Sequence, residues 1–278
     1  MSELRLEGVT FDYPDGTRAL DGVDLTIPVG ESVALVGANG SGKTTLARHL
    51  NGLLRPGAGR VTVGGADAAE RTVAQLARVV ALGFQQPDRQ IFGRTVREEV
   101  EFGPKRQGAS TEEAFARAKE ALAQVGLEDD LGTHPGDLGE SRRRLLTIAS
   151  VLAMDAPVVV LDEPTTGLDA RGIERVTGIL RELHVAGRTV IGISHDIRFV
   201  AETFARVVVL DHGRIVLDGT PVAVFAEPAW PTLRAGGLEP PAAAVAGARL
   251  GLGPTPTDDA LVRAAGTRVA GPLDSEAT

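Results

Sequence analysis

Apolar and polar positions alternate at Leu4, Leu6, Val9 and Phe11, which predicts a half-buried strand. Residues 32–36 form a short apolar run that closes on glycine, and residues 43–53 follow with helical character. Residues 79–84 predict another buried strand. From about residue 95 to residue 154 strand signals are absent, while residues 112–125 and 142–154 carry helical spacing, as expected of a helical insert. Residues 158–161 and 189–193 are continuously apolar, the mark of strands covered on both faces of a parallel sheet. A helix over residues 173–185 fits between them. Residues 207–210 and 215–217 flank Asp211-His212-Gly213-Arg214 and predict a hairpin. Strands alternating with helices predict an α/β fold with a mainly parallel core. After Pro221 the composition shifts to Ala, Gly and Pro. Helical turns are expected at residues 222–225 and 258–265, and residues 266–278 are expected to be disordered. No internal repeat is visible.

Composition narrows the function. Of 278 residues 43% are hydrophobic and only 4% aromatic, so aliphatic side chains must fill the core. The net charge of −8, from 29 basic and 37 acidic residues, argues against a nucleic-acid binder and against adhesion to anionic lipid. The chain has no cysteine, which excludes disulfides and thiolate metal sites and fits a cytoplasmic setting. Residues 1–8 alternate charged and apolar side chains, unlike a signal peptide. No apolar run approaches the roughly 18 to 20 residues that span a bilayer. Work at a membrane would therefore require another chain.

Two segments carry chemistry. Residues 37–44, Gly37-Ala-Asn39-Gly40-Ser41-Gly42-Lys43-Thr44, match the pattern G-x-x-x-x-G-K-S/T between a predicted strand and a predicted helix. Glycines let main-chain N–H groups close on phosphate oxygens, and the helix start adds a positive dipole end. Lys43 is expected to reach the β- and γ-phosphates of a nucleotide, and the Thr44 hydroxyl to ligate Mg2+. The strand at 158–161 ends in Asp162-Glu163. Active sites of such sheets lie at the carboxyl ends of strands. Asp162 is expected to hold the metal, and Glu163 to orient and polarise an attacking water.

Residues 158–169, VVVLDEPTTGLD, resemble the Walker B and D-loop segment of ATP-binding cassette (ABC) ATPases, and the family's other motifs stand in the expected order. The resemblance covers roughly residues 3–225. It implies a P-loop NTPase core of ABC type with an antiparallel β subdomain and an inserted helical subdomain, and ATP with Mg2+ as ligands. By resemblance, Tyr13 stacks on adenine, and Gln85 is the Q-loop glutamine, a metal and catalytic residue. His195 is the switch histidine that steadies the γ-phosphate. Gly37, Asn39, Gly40, Ser41, Gly42, Lys43, Thr44 and Thr45 form the nucleotide cradle. The catalytic set is then Glu163, His195, Lys43 and Gln85, and the metal set Thr44, Gln85 and Asp162. His49, His134, His184 and His212 show no metal-ligand spacing.

Residues 84–92, FQQPDRQIF, and 95–104, TVREEVEFGP, are similar to the energy-coupling factor A components of cobalt- and vitamin-type importers, as are Gly219-Thr-Pro221 and Gly237-Leu-Glu-Pro-Pro241. In that group the segment after the Q-loop glutamine contacts membrane subunits. The implied protein is an ATPase that powers a membrane importer, peripheral at the cytoplasmic face of the cell membrane. Its partners would be a second ATPase subunit, in a homo- or heterodimer, and integral membrane subunits. Residues 1–225 would be the ATP-binding domain and 226–278 a C-terminal extension. The alternatives are an ABC ATPase outside transport, or a nucleotide-binding subunit with weak hydrolysis.

One motif departs from the family. In place of Leu-Ser-Gly-Gly-Gln stands Leu138-Gly139-Glu140-Ser141-Arg142. In the family that serine and the glycine amides contact ATP held by the other subunit. Gly139 lacks the hydroxyl, and losing a hydrogen bond to a charged group costs on the order of 1.5–3 kcal/mol. Glu140 adds a carboxylate facing polyphosphate, partly screened by solvent. Ser141 is expected to cap the helix that starts there, Arg142 could restore positive charge, and two of Arg142, Arg143 and Arg144 are expected on an exposed face.

Overall fold

The computed structural model describes residues 3–84 and 90–269. The chain runs β1 (Leu4–Asp12), β2 (Arg18–Ile27), β3 (Ser32–Val36), α1 (Lys43–Leu50), β4 (Ala58–Val63), β5 (Ala66–Asp67), α2 (Val73–Ala77) and β6 (Val80–Gly83). Three helices follow, α3 (Val96–Arg106), α4 (Thr111–Val125) and α5 (Glu140–Ala153). The chain then returns to the sheet as β7 (Val158–Asp162), α6 (Ala170–Val185), β8 (Thr189–Ile193), α7 (Ile197–Thr203), β9 (Arg206–Asp211) and β10 (Arg214–Gly219). Four helices close it: α8 (Pro221–Val224), α9 (Trp230–Ala235), α10 (Ala242–Arg249) and α11 (Asp258–Val269).

The larger sheet has the order β10-β9-β3-β8-β7-β6. Its inner pairs β9·β3, β3·β8, β8·β7 and β7·β6 are parallel, and only β10 runs antiparallel at the edge. The smaller sheet, β2-β1-β4-β5, is antiparallel throughout. Strands β3, β7 and β8 are buried at every position. The reason is visible in where alternate residues go. Val33 and Leu35, Val158 and Val160, and Ile191 and Ile193 pack with Leu4, Leu6, Leu46 and Leu50 between the two sheets. Ala34 and Val36, Val159 and Leu161, and Val190 pack on the other face against Val100, Leu122, Leu146 and Val176 of the helices. The period of two thus feeds two apolar layers from one strand.

The parallel strands and the hairpin fall where the apolar runs predicted them. The helical insert is built of three helices rather than two, because α3 begins at Thr95, whose side chain accepts from the Glu98 amide. Several expectations need correction. The helix expected over residues 43–53 ends at Leu50, where Gly52 takes a left-handed backbone (φ +75°). Ser141 does not cap α5: Gly139 is the N-cap, extended at φ −64° and ψ 162° with no side-chain bond, and its carbonyl accepts from Arg143 N. Ser141 already lies inside the helix. Residues 266–269, expected to be disordered, continue α11, while residues 270–278 lie outside the described set. Strands β2, β4 and β5 and helices α2, α3, α7, α9 and α10 have no counterpart in the sequence reading; several of them are short or interrupted by glycine and charge.

Gly192, in the middle of β8, sits under the Phe204 ring, where a Cβ would come within 2.2 Å of the ring carbon Cζ. Overpacking of a full core forces side chains off their rotamers. Gly192→Ala is expected to destabilise the fold by about 1–3 kcal/mol, read as a lowered Tm in thermal unfolding. An unchanged Tm would show that Phe204 moves aside freely.

Candidate functional site

Three parallel strands end side by side and each delivers part of one cleft. Leu35 of β3 and Asp162 of β7 both register with Ile193 of β8. The glycine loop follows β3, Asp162-Glu163 closes β7, and Ser194-His195 follows β8. Main-chain bonds lock these exits together: Glu163 N donates to the Ile193 carbonyl at 2.8 Å, and Ser194 N to the Leu35 carbonyl at 3.3 Å. Polar chemistry is therefore concentrated at the carboxyl edge of an otherwise apolar sheet.

The loop is closely fitted. A Cβ at Gly42 (φ +106°) would approach the Ala19 carbonyl to 2.4 Å, and one at Gly37 would meet the Leu210 carbonyl at 2.2 Å. Neither position admits a side chain, so main chain forms the wall. Lys43 is the first residue of α1 and only 8% exposed. Its Nζ donates to the carbonyls of Gly37 and Ala38, both at 2.9 Å, and to Ser41 Oγ at 3.3 Å. Burial pulls its pKa below the usual lysine value, against the opposing pull of Glu163 and Asp162.

Thr44 Oγ1 donates to Asp162 Oδ2 at 2.8 Å. Burial pushes the Asp162 carboxyl above the usual aspartate value, the Thr44 bond opposes that rise, and the charge of Glu163 adds to it. A buried acid held next to a hydroxyl at the mouth of an anion-binding loop is a setting that a cation would stabilise. Two hard oxygen donors side by side fit Mg2+, which takes one or two protein oxygens and completes its shell with phosphate and water. Among the described residues no group of three or more His, Cys, Asp and Glu side chains builds a metal cage. Among the described residues, Thr44 and Asp162 are side chains that could hold such an ion.

Glu163 stands in the left-handed region (φ +52°) and is 6% exposed. His195 Nδ1 lies 2.9 Å from its Oε2, with the imidazole mostly in solvent. At the far end Tyr13 shares a hydrogen bond with Thr45 Oγ1 at 3.0 Å, and its ring meets Phe11 edge-on at 5.1 Å. Tyr13, Asn39, Gly40, Gly42, Lys43, Thr44, Thr45, Asp162 and Glu163 line one cleft of about 320 Å³ together with Thr17, Ala19 and Ile193. Gly37 and Ser41 do not line it, and both accept from Lys43 Nζ. Gln85 lies outside the described residues. His49, left unassigned from sequence, is a core residue: its Nδ1 bonds the Thr45 carbonyl at 2.8 Å and its ring packs on Phe11.

Sequence reasoning missed Arg144. It is 3% exposed, and its guanidinium donates to the main-chain carbonyls of Phe84 (2.8 Å), Asp162 and Glu163. A signal was present: three consecutive helical residues sweep about 200°, so a run of three arginines cannot all face solvent. Arg144 shares the spacing of Ile148 and Val151 on the buried face.

A glycine loop between a strand and a helix, facing a strand-end aspartate that touches the loop's threonine, defines a P-loop nucleoside triphosphatase. The family model for ABC transporters matches residues 20–166. The chain is 42% identical to a cobalt import ATP-binding protein, CbiO, of Rhodobacter capsulatus, over 86% of this chain and 85% of that one. It is 40% identical to an energy-coupling factor transporter ATP-binding protein, EcfA, of Methanothermobacter thermautotrophicus, over 80% and 72% of the two chains. Among solved structures, cbiO1 of Clostridium perfringens, part of the ABC transporter complex cbiONQ, superposes with a TM-score of 0.72 at 33% identity, over 84% of this chain and 94% of that one. The ATP-binding cassette MJ0796, a dimer in a post-hydrolysis state bound to ADP and Pi, superposes with the same TM-score at 29% identity, over 78% and 98%. The chain belongs to the ABC transporter family as an ATP-binding subunit, an ATPase that takes ATP with Mg2+. Among the described residues no helix is long and apolar enough to cross a membrane.

Asp162→Asn removes the charge that would face the metal and keeps the shape. Charged hydrogen-bond partners contribute roughly 1.5–3 kcal/mol, so affinity for Mg-ATP is expected to fall about tenfold or more, with binding of metal-free ATP largely retained. Equilibrium titration with and without Mg2+ checks this; equal losses in both would remove Asp162 from the metal site.

Proposed function

We propose that this ATPase is the motor subunit of a membrane importer of the cobalt and energy-coupling factor type, peripheral at the cytoplasmic face and working in a pair of ATPase subunits on integral membrane partners. The observation that carries the reading is the contact between Thr44 and Asp162 beside the Glu163–His195 pair. Gly37, Asn39, Gly40, Ser41, Gly42 and Thr45 shape the cradle for the phosphates, and Tyr13 closes the adenine end. Lys43 balances charge developing on the phosphates. Thr44 and Asp162 would hold Mg2+ with Gln85, and the ion would supply further neutralisation of phosphate charge. Glu163 accepts a hydrogen bond from the attacking water and aligns it, and His195 steadies the transferring group.

Coupling to a membrane partner is supported by the surface that follows Gln85. Phe92 is 61% exposed and stacks edge-on with Phe102 at 4.5 Å, while the Arg106 guanidinium lies over the Phe102 ring. An exposed aromatic pair flanked by a cation is the composition of a protein-docking surface. Relatives named for cobalt import and energy coupling support the choice of cargo class, a metal ion or vitamin. Residues 226–278 would form a C-terminal extension.

A second reading, weak hydrolysis at the site this chain completes for its partner, rests on the start of α5. Gly139 offers no hydroxyl, and Glu140 is exposed with its carboxylate against Gly167, about 3.0 Å from where a Cβ of that glycine would stand. An acid at the first helical position favours the helix but opposes an incoming anion.

Glu163→Gln is expected to abolish turnover while keeping Mg-ATP bound, as measured by phosphate release beside nucleotide binding. Undiminished phosphate release would assign the activity elsewhere. Restoring Gly139→Ser with Glu140→Gly in the assembled transporter is expected to raise turnover about tenfold. No gain would show that this helix start does not limit hydrolysis.

A further inference from the structure

The three arginines at the start of α5 have different fates. Arg142 pairs with Asp130 at the surface, and Arg143 donates to the Leu138 carbonyl at 3.1 Å. Arg144 turns inward and reaches three main-chain carbonyls from two neighbouring strand ends. Phe84 follows β6 and immediately precedes the segment that carries Gln85. Asp162 closes β7. Glu163 holds a left-handed backbone at φ +52°, a conformation that an L-residue adopts only where its surroundings over-determine it. Two contacts bracket that peptide: its N–H donates to the Ile193 carbonyl, and its C=O accepts from Arg144.

We propose that Arg144 is a positioning residue that ties the helical insert to the Glu163 backbone and to the strand end at Phe84, so that the start of α5 and the hydrolytic carboxylate move as one body. The role rests on the assignment of Glu163 as the group that aligns water. A guanidinium suits it: five N–H donors in a fixed planar fork reach several acceptors at once, whereas an ammonium is a point donor. Charge balance agrees. Asp162 and Glu163 are buried side by side, and Lys43 and Arg144 are the cations buried with them. The insert holds α3 to α5, and α5 begins at the altered segment 139–142. Displacement of the insert against β7 would pull on the peptide of Glu163 through a single side chain, a direct physical link rather than an inferred path.

Two variants of the full-length chain, each measured in the assembled transporter beside wild type, test this. Arg144→Lys keeps the charge and loses the fork. It is expected to bind a fluorescent ATP analogue within about twofold of wild type and to lose about tenfold to a hundredfold in kcat, the scale of a misplaced catalytic group. Arg144→Ala is expected to lose at least as much, and to regain turnover in millimolar guanidinium, with no such gain in wild type or in Glu163→Gln. Full turnover in Arg144→Lys would overturn the proposal. So would a joint loss of nucleotide binding and turnover in both variants with no recovery in guanidinium, which marks a purely structural residue. A wild-type assembled transporter that binds Mg-ATP and never releases phosphate would defeat the assignment of Glu163 itself, an outcome visible before either variant is made.

Discussion

Thr44 Oγ1 meets Asp162 Oδ2 across 118 residues of sequence, and the rest of the fold is arranged so that this contact is possible. Strand β8 lies between β3 and β7, and all three end at one level. The cost is electrostatic: Lys43, Arg144, Asp162 and Glu163 are each less than a tenth exposed in the same small volume. Charges taken out of water are tolerated only when opposite signs and hydrogen bonds compensate them. Here two cations face two anions, and main-chain carbonyls occupy the cationic donors. Burial still dominates at Lys43 and Asp162, driving the lysine pKa down and the aspartate pKa up. A triphosphate and its cation would add phosphate oxygens beside Lys43 and positive charge beside Asp162.

The elements that build this edge were legible because their physics is local. Residues 158–161 are all apolar, residues 189–193 are apolar but for Thr189 and Gly192, and both runs are buried at every position because both faces are covered, the pattern of a central parallel strand. Gly42 and Gly37 are demanded by the carbonyls of Ala19 and Leu210, which leave no space for Cβ atoms, and Gly40 by its left-handed backbone at φ +83°. Their spacing to Lys43 and Thr44 is set by the phosphate chain, so the motif survives as text. Tyr13, Thr45, Asp162 and Glu163 line the same cleft, and His195 reaches Glu163 from the next strand end, although their positions in the sequence share no neighbourhood.

Other features depend on tertiary context and left weak traces. In the antiparallel sheet β1 alternates only in part, since its pairing with β2 shifts register between Leu6 and Val9, and Gly8 there is left-handed. Strand β2 carries Asp21, Gly22 and Asp24 within its length, which blurs its alternation. The expected cap at Ser141 failed for a backbone reason: Gly139 is extended and its carbonyl already accepts the first helical bond, so the helix starts two residues earlier than the serine would require. Two of Arg142, Arg143 and Arg144 are expected at the surface without saying which, and helical spacing with Ile148 and Val151 is what singles out Arg144 as the inward one.

Helix α5 joins these threads, because its start and its first buried turn serve different masters. At the start, Glu140 sits where a carboxylate is favoured by the positive end of the helix dipole, a gain of about 0.3–1 kcal/mol at an exposed site. The same dipole end is what an anion from another subunit would use, so a carboxylate placed there spends on the helix itself the field that would otherwise attract phosphate. One turn further in, Arg144 grips the carbonyls of Asp162 and Glu163. The backbone of Asp162 and Glu163 is thus held by the helix whose tip would be unfavourable to a neighbour's nucleotide. Such a subunit gains most from a partner whose corresponding helix keeps its anion-binding start, since that partner would complete the intact cleft and leave the weakened contact confined to one of the two sites.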